Sequence, residues 1–125
     1  APDPVVLAWL AAQPSDSLFV SAVTQAEMLL GARLLPVGKR RKQLEDALQA
    51  MFREDFAGRL LPFDGRCAAP YADIVATRRE MGRPIAQFDA QIAAISMTHR
   101  LELATRNVAD FDDCGLIILN PWAPR

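Results

Sequence analysis

Apolar and polar positions alternate along this chain in two rhythms, and each change of rhythm marks an element. Ser17 to Ala22 (SLFVSA) is short, apolar and partly β-branched, the composition of a buried strand. From Thr24 the period lengthens to that of a helix, with Met28, Leu29 and Leu30 in its body. Thr24 is expected to cap it, and Pro36 and Gly38 to break it after about Leu35. Lys39 to about Phe52 predicts a second helix, with Leu44, Leu48, Met51 and Phe52 on one face and charges on the other. Arg59 to Phe63 (RLLPF) is a brief apolar run whose Pro62 suits only a sheet edge. Asp64 then caps a helix carrying Cys67, Ala68, Tyr71, Ile74, Val75 and Arg78, which Gly82 and Pro84 stop. A further helix from about Phe88 to His99 packs through Ile92, Ala93 and Ile95. Leu101 to Thr105 (LELAT) and Leu116 to Leu119 (LIIL) are the last strands, the second closed by Asn120-Pro121. Far upstream, Asp3 followed by Pro4 opens a helix whose apolar face is Val5, Val6, Trp9 and Leu10, and Pro14 ends it.

Strands alternating with helices predict an α/β fold, a parallel sheet covered on both faces by helices. At 125 residues the chain is expected to be one domain, residues 1–125, with a real core. Half of it is apolar and 23% charged, the balance of a globular protein and not of a disordered one. A formal net charge of −1 gives no general attraction to nucleic acid, so any phosphate-binding surface has to be local. Cys67 and Cys114 form no CxxC pair, and with a single histidine a Cys/His zinc site is close to excluded. Two unclustered cysteines suit a reducing, cytoplasmic setting. No run approaches the ~20 apolar residues of a membrane span. The sequence opens on Ala1-Pro2-Asp3-Pro4, with neither an initiator Met nor a preceding strand, and reads as though entered partway through.

Three separated stretches bring carboxylates to the places where an open parallel sheet binds ligands, outside the carboxyl ends of its strands. Glu27 lies in SAVTQAEMLLGA, Asp89 in AQFDAQIAAIS, and Asn107 with Asp110 in LATRNVADF. Acidic groups gathered at one such place repel one another and favour a divalent cation between them, which suggests metal-assisted phosphodiester cleavage. Each has a plainer explanation. Thr24-x-x-Glu27 matches a capping box. Asp89 opens a helix, where the dipole favours a carboxylate whether or not it binds anything. Asn and Asp after a strand are often turn-formers, and Asp110, Asp112 and Asp113 cannot all be ligands. His99 suits a helix end better than catalysis. Lys39-Arg40-Arg41-Lys42 suits a solvated helix start better than an RNA clamp. Trp9 and Trp122 suit core cover better than base stacking. GxGxxG, GxxxxGK[ST] and GxSxG are all absent, against dinucleotide, nucleotide-triphosphate and α/β-hydrolase chemistry.

With these residues in place the chain resembles a PIN domain, specifically a VapC-like or FitB-like toxin ribonuclease. SAVTQAEMLLGA, the LPFD turn, AQFDAQIAAIS, LATRNVADF and the terminal ILNPW carry the resemblance in the family's order, over nearly the whole chain. It implies a small three-layer α/β/α sandwich and divalent-metal-dependent endoribonuclease action. Glu27 would match the acid of the second strand–helix unit and Asp89 the acid opening the later helix. The fourth family acid falls at Asn107, with Asp110 close behind as its substitute. Glu27, Asp89 and Asp110 would then hold Mg2+ or Mn2+. The family also begins with an apolar strand ending in a metal-binding Asp. Nothing here supplies it, so roughly a dozen further residues are expected upstream. Without that central strand the segment alone is expected to be poorly soluble. The resemblance further implies an RNA substrate gripped by basic residues such as Arg78, Arg79, Arg83 or Arg106. It implies a DNA-binding antitoxin partner, a homodimer, and no membrane. A non-catalytic module that binds nucleic acid or a partner on the same fold, and a receiver-like or flavodoxin-like signalling domain, are the competing classes.

Overall fold

A computed structural model describes residues 12–122, and the helix expected to open at Asp3-Pro4 lies outside the described residues. The chain divides into two compact units, residues 16–62 and a second that contains residues 63–122.

In the first unit, β1 (Val20–Ser21) pairs in parallel with β2 (Leu60–Leu61), Val20 opposite Leu60 and Ser21 opposite Leu61. α1 (Ala22–Arg33) follows β1 with no loop between them. Ser21 sets that start. It holds extended dihedrals, and its hydroxyl accepts the Thr24 N–H at 2.9 Å and donates to Thr24 Oγ1 at 3.0 Å. The expectation that Thr24 caps this helix is therefore corrected to Ser21. Thr24 is the third helical residue, and its N–H is one of the orphan donors that the cap satisfies. α2 (Lys39–Ala50) runs on into a π-helical turn (Met51–Asp55), so the predicted end near Phe52 is replaced by a wider winding. Ala32, Leu48 and Phe52 form the core of the unit, with Val20, Leu29, Met51 and Leu60 packed against it. Glu45 bridges Arg33 at 2.9 Å and Arg41 at 3.0 Å, and Lys42 reaches Asp46 at 3.0 Å. Two of the four basic residues at the start of α2 are thus engaged in one-turn pairs on their own helix.

The second unit opens as the sequence predicts. The Asp64 carboxylate accepts the Arg66 N–H at 3.0 Å and caps a 3-10 turn (Gly65–Cys67) leading into α3 (Ala68–Glu80). α3 ends at Met81 and Gly82, the latter at φ 71° in the left-handed region that glycine favours. α4 (Gln87–Thr98) packs on α3 through a face of Ala90, Ala93, Ala94 and Ile95, each at most 1% exposed. β3 (Leu103–Ala104) pairs in parallel with β4 (Ile118–Leu119), and between them a 3-10 turn (Val108–Phe111) buries Phe111.

All four strands are shorter than the apolar runs that predicted them, for local reasons. Ser21 begins a helix at once, and Pro62 has no N–H for a ladder. The Asn107 N–H turns back onto Thr105 Oγ1 at 3.1 Å, and the Trp122 N–H onto Asn120 Oδ1 at 3.0 Å. Each of these ends a strand by giving the backbone a different partner. Among the described residues no helix is long and apolar enough to cross a membrane.

Candidate active site

Asp89 is the third residue of α4, behind the extended N-cap Ala86, which has no side chain able to cap. The helix dipole at this position favours a carboxylate anion. The surroundings act the other way. Burial pushes the Asp89 carboxyl above the usual range, the negative charge of Asp110 pushes in the same direction, and Arg78 pulls it back. A carboxylate that is both partly desolvated and faced by a like charge is held ready for a cation.

Asp110 belongs to the 3-10 turn that packs against α4. Its main chain is held at both ends of the residue. The N–H donates to the Asn107 oxygen at 3.1 Å, and the carbonyl accepts from Arg78 Nη1 at 2.9 Å. Its side chain is exposed. Asn107 precedes this turn as its N-cap, and its side chain caps nothing. The structure thus brings Asp89 and Asp110 into one electrostatic neighbourhood and assigns Asn107 to the turn beside them.

Glu27 lies in the other unit, in the middle of α1 and exposed. Because Ser21 supplies the cap, the capping-box explanation of Glu27 falls away and its carboxylate has no task in starting the helix. Among the described residues no group of three or more His, Cys, Asp or Glu is gathered closely enough to form a metal cage. A pair is still a sensible donor set for one ion, since Mg2+ keeps several waters and takes one or two carboxylates. Asp89 and Asp110, two hard oxygen donors within electrostatic reach of each other, fit such an ion.

The basic residues sort differently from the expectation. Arg78 is only 5% exposed and is not available to grip RNA, because its guanidinium is spent on main-chain oxygens inside the unit. Arg83 forks onto Asp112 and Asp113 at 3.0 and 3.2 Å, and Arg106 lies over the Trp122 ring at 5.1 Å. Arg79 is exposed. The inward use of Arg78 had one sequence signal: it stands four residues after the buried Ile74, on the same helix face. His99 ends α4, on the order of 15 Å along the helix from Asp89. Its Nε2 is buried with no hydrogen-bond partner among the described residues.

Helices alternating with short parallel strands, with carboxylates at a helix start and in the turn after a strand, make this an α/β chain. The chain belongs to the PIN domain family, whose sequence profile matches residues 3–114. It is a homologue of VapC and FitB toxins. It is 41% identical to VapC ribonuclease Y4jK of Sinorhizobium fredii over 98% of this chain and 88% of that protein. It is 39% identical to toxin FitB of Neisseria gonorrhoeae over 97% of this chain and 87% of the relative. The crystal structure of FitAcB from Neisseria gonorrhoeae superposes with a TM-score of 0.93 at 38% identity, covering 99% of this chain and 89% of the other. The PIN fold predicted from the sequence is thereby established.

Proposed function

We propose that this chain is the toxin of a toxin–antitoxin pair and cleaves RNA with a divalent cation, Mg2+ or Mn2+, held by Asp89 and Asp110. The single observation that carries the reading is the Asp89–Asp110 pair, in which the negative charge of Asp110 adds to burial in opposing the ionisation of Asp89. Near-full-length similarity to a protein named a VapC ribonuclease supports RNA as substrate. When bound, such an ion would supply positive charge that activates water and offsets charge building on the scissile phosphate. The chain's own residues do the rest. The first turn of α4 presents Asp89 with its dipole behind it, and the short turn after β3 presents Asp110. Partial burial around Asp89 limits the water competing for the same oxygens.

A protein partner is supported by the apolar surface of the first unit. Leu34 and Val37 are 74% and 89% exposed, with Leu30 and Leu44 also open to solvent. Apolar residues this open, close together in sequence, suit a covering protein, and in a toxin that protein is the antitoxin. Pairing with a second copy as a homodimer belongs to the same proposal.

A non-catalytic module that binds nucleic acid or a partner is the second reading, favoured by the absence of a three-acid cage among the described residues. One experiment separates the two. Purified protein is titrated with Mn2+ by calorimetry and then given single-stranded RNA with Mn2+ or with EDTA. Cation binding together with EDTA-sensitive cleavage is the expected result. RNA or partner binding indifferent to both Mn2+ and EDTA would leave the binding module standing instead.

A further inference from the structure

Arg78 is the most deeply buried charged side chain among the described residues, and its hydrogen bonds go to main-chain oxygens and not to a carboxylate. Its Nε donates to the Arg83 oxygen at 2.7 Å, and Nη1 donates to the oxygens of Asp110 at 2.9 Å and Asp112 at 3.0 Å. The Cys114 sulfur lies 3.9 Å from the same Nη1. Burying a guanidinium is costly unless its donors find partners, and here main-chain acceptors take Nε and Nη1. Those acceptors come from two places, the turn after α3 and the segment that carries Asp110. Arg83 adds an outer clasp, pairing with the carboxylates of Asp112 and Asp113 on the same segment.

We infer that Arg78 is a positioning residue for the acidic pair: its buried guanidinium fixes the main chain at Asp110 and Asp112 and so keeps the Asp110 turn against the start of α4. This rests on the proposed cation site, and it adds what that proposal lacks, a cause for the placement of Asp110. The turn itself is too short to hold its own position. Its internal hydrogen bonds are those of a single 3-10 turn, and the Asp110 side chain is in solvent. The rigid reference is α3, whose core residue Ile74 is one helical turn before Arg78. Lysine cannot reproduce the role. One ammonium on a flexible stem cannot span acceptors that lie on both sides of a planar fork.

The test uses the full-length protein as wild type, Arg78→Lys, Arg78→Met, Asp110→Asn and the Arg78→Lys/Asp110→Asn double variant. Mn2+ affinity is read by calorimetry, RNA cleavage as kcat and KM, and amide exchange over residues 108–114. Loss of an outer partner of a metal ligand typically costs about 10- to 100-fold in affinity or activity. A fall of that size is expected for Arg78→Lys in Mn2+ affinity and kcat, with KM for RNA unchanged and faster exchange in the turn. In the double variant the Lys substitution should add little to Asp110→Asn, because both act through one carboxylate. Additive losses in kcat, or turn amides exchanging as in wild type, would overturn the inference. Arg78→Met is the harsher probe. If it fails to fold, Arg78→Lys retains a charge on a similar stem and decides the matter alone. Wild-type protein that binds no Mn2+ would sink the cation site itself, and the exchange measurement would still judge the hold of Arg78 on the turn.

Discussion

Asp110 raises the proton affinity of Asp89, second only to the burial of Asp89 itself. Two carboxylates from different elements, one opening a helix and one in the turn after a strand, are therefore coupled in the folded chain. That coupling makes the pair the natural target for substitution. Asp89→Asn removes the charge and keeps the shape, so cleavage should fall by more than about a hundredfold, beyond what an outer partner costs, with an unchanged circular dichroism spectrum. Asp110→Asn should cost less. Equal losses would make Asp110 as direct a ligand as Asp89, and full activity in Asp89→Asn would remove Asp89 from the site.

The same coupling sets a pH dependence of stability in metal-free protein. The folded-state pKa of Asp89 is raised above its unfolded value, so the folded state binds the proton more tightly. Stability from this group is accordingly present at low pH and lost as pH rises through the ordinary and then the raised carboxylate range. At pH 7 the ionised Asp89 is a small net cost. Asp89→Asn should melt at a slightly higher temperature than wild type in EDTA at pH 7, and the gap should close below the unfolded-state pKa. A gap that widens on acidification would mean the sign is wrong.

Ser21 should matter more to stability than Thr24. Removing a serine N-cap costs about 1 kcal/mol, a drop of about 4 °C in a domain of this size. Ser21→Ala is expected to show that drop by thermal melting. Thr24→Ala should lose less, because the main-chain N–H of residue 24, and not its hydroxyl, is what the cap satisfies.

The inner face of α4 should refuse volume. Ala93 is fully buried with Ala90 and Ala94 beside it, and extra methylenes in a packed core cost about 1–3 kcal/mol. Ala93→Leu should lower the denaturant midpoint accordingly, whereas Gln87→Leu, at the exposed start of the same helix, should leave it nearly unchanged.

Much of this was legible in the sequence. Helical periodicity placed α2, α3 and α4 to within a few residues, and Asp64 was recognised as a cap because a carboxylate preceding a periodic segment has few other uses. The cap of α1 was misplaced because SLFVSA ends in Ser-Ala, and pattern alone cannot say that Ser21 belongs to both the strand and the helix. Strand ends were overextended because apolar runs record burial, while ladders stop where a backbone group finds another partner, as at Asn107 and Asn120. Spacing and resemblance single out Asp89 and Asp110, and the structure puts the two within electrostatic reach of each other. The inward turn of Arg78 is only half legible: its spacing from Ile74 points inward, while an arginine beside another arginine, Arg79, reads as surface. Only the tertiary path of residues 110–114 supplies the carbonyls that make burial possible.

The two ladders close loops of very different size. Leu103 meets Ile118 across a short stretch of chain, whereas Val20 meets Leu60 across one more than twice as long. Loop closure costs about 0.6 kcal/mol more for each doubling of length, and folding rates follow the sequence separation of contacts. The β3–β4 pairing therefore has the lower entropic barrier, and during synthesis or refolding the Val20–Leu60 register is the later event. Until that register closes, the apolar residues of β1 and β2 remain open to aggregation.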